Sequence, residues 1–181
     1  MKRTSIFERM RNDHKRVLER IATLESGILG RGHGRGASIG VSRLRSLREV
    51  VELLDRQFAT HMTAEVEVLF PALVEALPQT KTTLEPLHAD HAELRSMLSR
   101  LDATLGEPAS PAREEGIMVQ VRDLVDLLRI HIRKEEAVVL SVAERVLKPE
   151  EIDVLEQWMS SRMQPERPSS PSPSRTKGNR K

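Results

Sequence analysis

The sequence predicts an all-α protein: an up-down-up-down four-helix bundle closed by a short C-terminal fifth helix. Three observations carry that expectation. Apolar residues recur at steps of three and four along four long stretches, and strand-like alternation is hard to find. Glycine and proline gather between those stretches, where they stop helices and turn the chain. Aromatic residues make up 2% of the chain and cysteine is absent, so the core must be aliphatic and unstapled.

The first helix is expected over about 4–29, with Phe7, Met10, Val17, Ile21, Leu24 and Ile28 on its inner face. Gly27 to Gly40 holds six glycines and makes a connector, in which His33 reads as a solvated loop residue. The second helix, about 42–77, starts at Ser42 as N-cap and carries Leu47, Val51, Leu54, Phe58 and Leu69 inward. Pro71 should kink it near its end. The third, about 83–105, buries Leu87, Leu94, Leu98, Leu101 and Leu105, and the segment Gly106 to Pro111 closes it. The fourth, about 112–147, places Ile117, Val121, Leu124, Leu128, Val138 and Val142 inward. After Lys148-Pro149 a short fifth helix runs to about Met163, with Ile152, Leu155 and Trp158 or Met159 facing the core.

Residues 1–163 form one expected domain and 164–181 a disordered tail rich in proline, serine and basic residues. Charge follows the same division. The chain is +2 overall, yet residues 1–163 carry 24 Lys and Arg against 26 Asp and Glu. The basicity belongs to the tail, and aromatic stacking platforms are missing, which argues against a nucleic-acid-binding body. The tail could tether a protein partner electrostatically; a solvated extension is the simpler reading. No apolar leader or spanning segment is visible, so a soluble cytoplasmic protein is expected.

Without cysteine and tyrosine, any metal or proton chemistry near neutral pH falls to His, Asp and Glu. The helical rows place these residues where apolar ones are due. The first helix reads Met10, His14, Val17; the second, Phe58, His61, Glu65, Leu69; the third, Leu87, His91, Leu94, with His88 one turn earlier; the fourth, Leu128, His131, Glu135. A core-facing stripe covers about three positions in seven, so five histidines would all land there by chance with a probability of roughly 1–2%. Two buried glutamates without inward Lys or Arg require a cation. One ion cannot use so many ligands; a pair bridged by Glu65 and Glu135 can. Nitrogen and oxygen donors without sulfur suit Fe or Mn, with Zn possible. The pattern also repeats internally: Asp13-His14 is echoed by Asp90-His91, and His61-x-x-x-Glu65 by His131-x-x-x-Glu135. Asp13 and Asp90 are candidates to orient their neighbouring imidazoles.

Asp13-His14, His61-x-x-x-Glu65 with Leu69-Phe70-Pro71, His88-x-x-His91-x-x-Leu94 and His131-x-x-x-Glu135-Glu136 together resemble the hemerythrin family, in its bacterial His-His-Glu (HHE) cation-binding branch. The resemblance implies a four-helix bundle around a non-haem di-iron centre joined by an oxo or hydroxo group. By that likeness His14 and His61 hold one iron, His91 and His131 the other, Glu65 and Glu135 bridge, and His88 is an optional extra ligand. Oxygen carriers of the family space the third-helix histidines by four, not three, and use a bridging Asp five residues after the last His. The departure weakens the case for reversible O2 carriage. It leaves a protein that binds or reacts with O2, peroxide or NO, with possible peroxide-degrading activity in oxidative stress. The alternatives are an iron-responsive regulator or store and a metal-free helical interaction module.

Overall fold

The computed structural model describes residues 5–26 and 39–162. The glycine-rich connector with His33, the side chain of Leu24, Ile28 and the tail lie outside the described residues. Among those described, the chain is helical apart from short connections and no strand forms.

Helix α1 (Ile6–Leu24) is opened by Ser5, whose hydroxyl accepts from the Glu8 amide while the Glu8 carboxylate accepts from the Ser5 amide. That reciprocal pair satisfies two of the amides a helix start leaves free. Helix α2 (Val41–Ala64) begins one residue before the expected start, with Gly40 rather than Ser42 as N-cap. A π-helical turn, Glu65–Leu69, links α2 to α3 (Phe70–Ala76). Pro71 sits at the start of α3. Lacking an amide hydrogen, it cannot complete the α ladder, and the widened turn just before it absorbs the misfit. A 3-10 turn, Pro78–Thr80, leads into α4 (Lys81–Gly106). Ser110 caps α5 (Pro111–Lys134) by accepting from the Arg113 amide at 3.1 Å. A second π-helical turn, Glu135–Leu140, joins α5 to α6 (Ser141–Val146), and α7 (Pro149–Arg162) ends the described chain.

The second π turn corrects the expected inner face of the fourth helix. Val138 is exposed and Val142 only half-buried, whereas Val139, Leu140 and Ala143 are buried. An added residue in the turn advances the helical phase, so the apolar stripe passes to the next positions. The carbonyl of Glu136, displaced by that turn, accepts from the Ser141 hydroxyl at 2.8 Å.

Helix α1 packs on α2, α2 on α4, α4 on α5, and α5 returns to α1. Cross-helix pairs fix the registers: Arg11 donates to Glu144 at 2.6 and 2.9 Å, and Arg129 to Glu25 at 3.1 and 2.6 Å. At the far end, Arg48 and Arg113 both donate to the last carbonyls of α4. Helix α7 lies on α1 and α2 and buries Leu155 and Met159; Ile152 and Trp158 are half-buried at its margins.

The buried apolar side chains form two clusters. One holds Val17 and Ile21 of α1, Leu47 to Met62 of α2, Leu94 to Leu105 of α4 and Ile117 to Ile132 of α5. The other holds Ile6 to Met10 of α1, Leu69 to Leu73, Leu84 and Leu87 of α4, and Val139 to Leu147 with α7. On every long helix the break between clusters falls at the same level, at positions 14, 61–65, 91 and 131–135.

A candidate metal centre between the two cores

That level is a polar layer. His14, Glu65, His91, His131 and Glu135 are the buried polar residues among those described, and Glu65 and Glu135 are 0% and 1% exposed. His61 keeps 12% of its side chain open. Each of α1, α2, α4 and α5 delivers one imidazole, and the residue that opens each π turn is the site glutamate.

The imidazoles converge in two pairs. His14 Nε2 and His61 Nε2 stand 2.9 Å apart, and His91 Nε2 and His131 Nε2 stand 3.1 Å apart. Each glutamate sends one oxygen to each pair. Glu65 Oε1 lies 3.2 Å from His61 Nε2 and its Oε2 lies 3.3 Å from His91 Nε2. Glu135 Oε2 lies 3.2 Å from His14 Nε2, and its Oε1 lies 3.0 Å from His131 Nε2 and 3.3 Å from His91 Nε2. Two groups of donors result: His14, His61, Glu65 and Glu135, all with ligand atoms within 4.8 Å of one another, and His91, His131 and Glu135 likewise.

This donor set fits metal ions. Both Glu65 oxygens and Glu135 Oε2 are buried with no aligned hydrogen-bond donor, although imidazole nitrogens stand 3.2–3.3 Å away. A carboxylate left so is costly in a protein interior. Two ring nitrogens under 3.2 Å apart repel unless a proton or cation lies between their lone pairs. A cation in each group answers both the carboxylates and the nitrogens.

Without metal the layer balances its charge with protons. Burial works against charge on His61, but Glu65 close by, then Glu135 and Asp13, outweigh it and raise the imidazole to about 9. For His91, burial again opposes charge, and Glu135 and Glu65 raise it to about 9. Burial alone would lift the Glu135 carboxyl; the imidazoles of His131, His14 and His91 close beside it hold it well below the usual carboxylate range.

Two of the outer ring nitrogens face carboxylates in a pattern the sequence conceals. His14 Nδ1 lies 3.2 Å from Glu136 Oε1, and His131 Nδ1 lies 3.5 Å from Asp90 Oδ2, which also accepts from Lys134 Nζ at 2.9 Å. Asp13 and Asp90 therefore do not orient their own neighbours. Consecutive residues on a helix point about 100° apart, so each outer carboxylate reaches an imidazole on another helix; Asp13 pairs with Arg16 at 3.6 Å instead. Glu136 went unrecognised in sequence, where the Glu135-Glu136 doublet was its only trace.

His88 joins neither group. It is exposed, edge-on to Phe70 with ring centroids 5.1 Å apart, and Phe70 is stacked on His91 at 5.9 Å and 17°. The phenyl ring takes the space between His88 and the layer. On the opposite side a cavity of about 290 Å³ reaches His14, His61 and Glu135 from the α1–α2 face.

Among the described residues no helix is long and apolar enough to cross a membrane. No curated protein and no solved structure matches the chain. A family model, the hemerythrin HHE cation binding domain, matches residues 5–143, which span all four site-bearing helices. With a polar layer that fits metal cations at the level that model covers, the chain belongs to the hemerythrin HHE cation-binding domain family.

Proposed function

We propose that this chain is a dinuclear non-haem iron protein that binds or reacts with O2, peroxide or NO. The observation that carries the reading is the double reach of both buried glutamates, one oxygen toward each imidazole pair. His14 and His61 would hold one ion and His91 and His131 the other, with Glu65 and Glu135 each offering an oxygen to both and His88 outside the set. All donors are nitrogen or oxygen in a chain without cysteine, which suits iron, with Mn or Zn as lesser alternatives. The up-down-up-down order of α1, α2, α4 and α5 is supported by cross-helix pairs such as Arg11 with Glu144, Arg129 with Glu25, and Arg48 with the Leu105 carbonyl.

Two ferrous ions held there would supply two electrons, the number that takes O2 to the level of peroxide. The chain does the rest. Glu136 accepts from His14 Nδ1–H, which leaves the Nε2 lone pair aimed inward, and the Asp90 carboxylate stands 3.5 Å from His131 Nδ1. Phe70 closes the His91 side against water, and Val17, Phe58 and Ile132 wall the approach to His14 and His61. His61 and His91, held protonated in the metal-free layer, would release those protons to solvent to serve as ligands.

Metal analysis with optical spectra tests the reading. Two irons per chain and a near-ultraviolet band that changes on adding peroxide are expected, with both lost in His61→Ala and Glu135→Ala. Well under one ion per chain, or a spectrum inert to peroxide, O2 and NO, overturns it.

A further inference from the structure

The cavity between α1 and α2 is larger than a diatomic ligand needs. Its volume of about 290 Å³ compares with about 30 Å³ for one water in the liquid and with the roughly 300 Å³ at which small-molecule pockets begin. Its walls are apolar: Val17 from α1, Leu53, Phe58 and Met62 from α2, Leu128 and Ile132 from α5. Outside the histidine and glutamate layer, one group in that lining is unanswered. Gln57, one turn before His61, has its Oε1 buried with no hydrogen-bond partner. A buried acceptor without a partner calls for a donor from whatever fills the space. The two arginines, Arg16 and Arg56, are exposed, and Arg16 is already paired with Asp13; apart from the layer's own imidazoles, already matched by Glu65 and Glu135, the lining offers no cation to a charged acid. His14 and His61 form the inner end.

We propose that this cavity binds a small uncharged organic molecule, about the size of one six-membered ring and apolar except for a single O–H or N–H donor. The donor seats on Gln57, the body packs against Val17, Phe58, Leu128 and Ile132, and the inner edge lies against His14 and His61. The binding does not depend on the dinuclear reading; that reading only makes the bound molecule a candidate reactant. Separate measurements test the two.

The probes are phenol and toluene, which match in size and differ in the donor. Of the chain's methionines, Met62 and Met159 line the cavity, whereas Met97 and Met118 do not. The full chain labelled at its methionine methyls, both metal-free and loaded with Zn(II), is titrated with each probe by NMR. Phenol at millimolar concentrations is expected to shift Met62 and Met159 saturably and leave Met97 and Met118 in place. Toluene should bind about tenfold more weakly, the worth of one hydrogen bond. Gln57→Leu should bring phenol down to the toluene level, and Leu53→Trp, which fills the cavity, should abolish both responses while the Met97 and Met118 signals stay native. Phenol that moves neither cavity methyl, that moves all four alike, or that binds Gln57→Leu as tightly as the parent overturns the proposal. A chain that binds phenol in this way yet holds no iron leaves the proposal standing and removes the dinuclear reading alone.

Discussion

Raising the pH from 6.5 to 9 should destabilise the metal-free protein, and the polar layer sets how much. His61 and His91 are raised from an ordinary value of 6.5 to about 9 in the fold. A group whose folded pKa is raised contributes stability that is complete below its unfolded pKa and is lost as pH climbs through the folded one. His91 is buried and His61 keeps only 12% of its side chain open, and a rise from 6.5 to about 9 corresponds to about 3 kcal/mol for each. The two share Glu65 and Glu135, so the joint loss is about 3–7 kcal/mol, a large part of a typical domain's stability. The Glu135 carboxyl has the opposite sign. Its pKa is depressed, so its contribution is present above about 4.5 and is lost as pH falls further. The metal-free chain should therefore be most stable on the acid side of neutrality and weaken toward pH 9.

Urea unfolding of chelator-treated protein at half-unit steps from pH 5 to 9.5 measures this, and Glu135→Gln is the control. With one carboxylate neutralised, the imidazoles lose much of what holds their protons, and the slope above pH 6.5 should flatten. Stability that is level or rising between pH 6.5 and 9 would refute the reasoning, because Glu65 and Glu135 could not then be holding protons on the imidazoles.

Iron loading at pH 7 should release about two protons per chain, from His61 and His91, since both imidazoles hold protons there until metal displaces them. Calorimetry in buffers of different ionisation enthalpy counts them, and release near zero contradicts the charge balance of the layer. His88→Ala should leave metal content unchanged while His91→Ala loses it, because Phe70 separates His88 from the donors; elemental analysis decides. Asp90→Asn and Glu136→Gln should keep the stoichiometry at saturating iron but weaken affinity by about 10–100-fold, read by competition with a chelator.

The main features of this molecule are legible in its sequence because they follow helical periodicity. Four imidazoles and two carboxylates occupy rows that otherwise read Leu, Val and Phe, so the polar layer could be placed before any coordinate. What escaped depends on departures from that period. Glu65 and Glu135 each begin a π turn, and the added residue moves the buried face from Val138 and Val142 to Val139 and Leu140. Pro71 gives a local reason for the first wide turn, but nothing in Glu135 to Leu140 announces the second. The partners of His14 and His131 escaped for another reason. They come from other helices, and a single chain read along its length gives no cross-helix register to pair His14 with Glu136 or His131 with Asp90.

The position of the layer bears on which of the sequence's alternatives the fold favours. A metal that switches folding on, as an iron-responsive regulator would use, suits a chain whose core is too small to form without it. Here each side of the layer has its own apolar cluster, one running from Val17 to Ile132 and the other from Ile6 through Leu140 to Met159. Each packs apolar side chains against one another without using a donor of the layer. The layer itself reaches electrical balance with two protons in place of metal, His61 and His91 facing Glu65 and Glu135. Metal then adds only its mass-action contribution, about 4 kcal/mol at a thousandfold excess over its dissociation constant, to a bundle already folded. An ion that is not needed to build the scaffold can change its ligand or oxidation state without unfolding it. That property suits a reactive centre better than a folding switch.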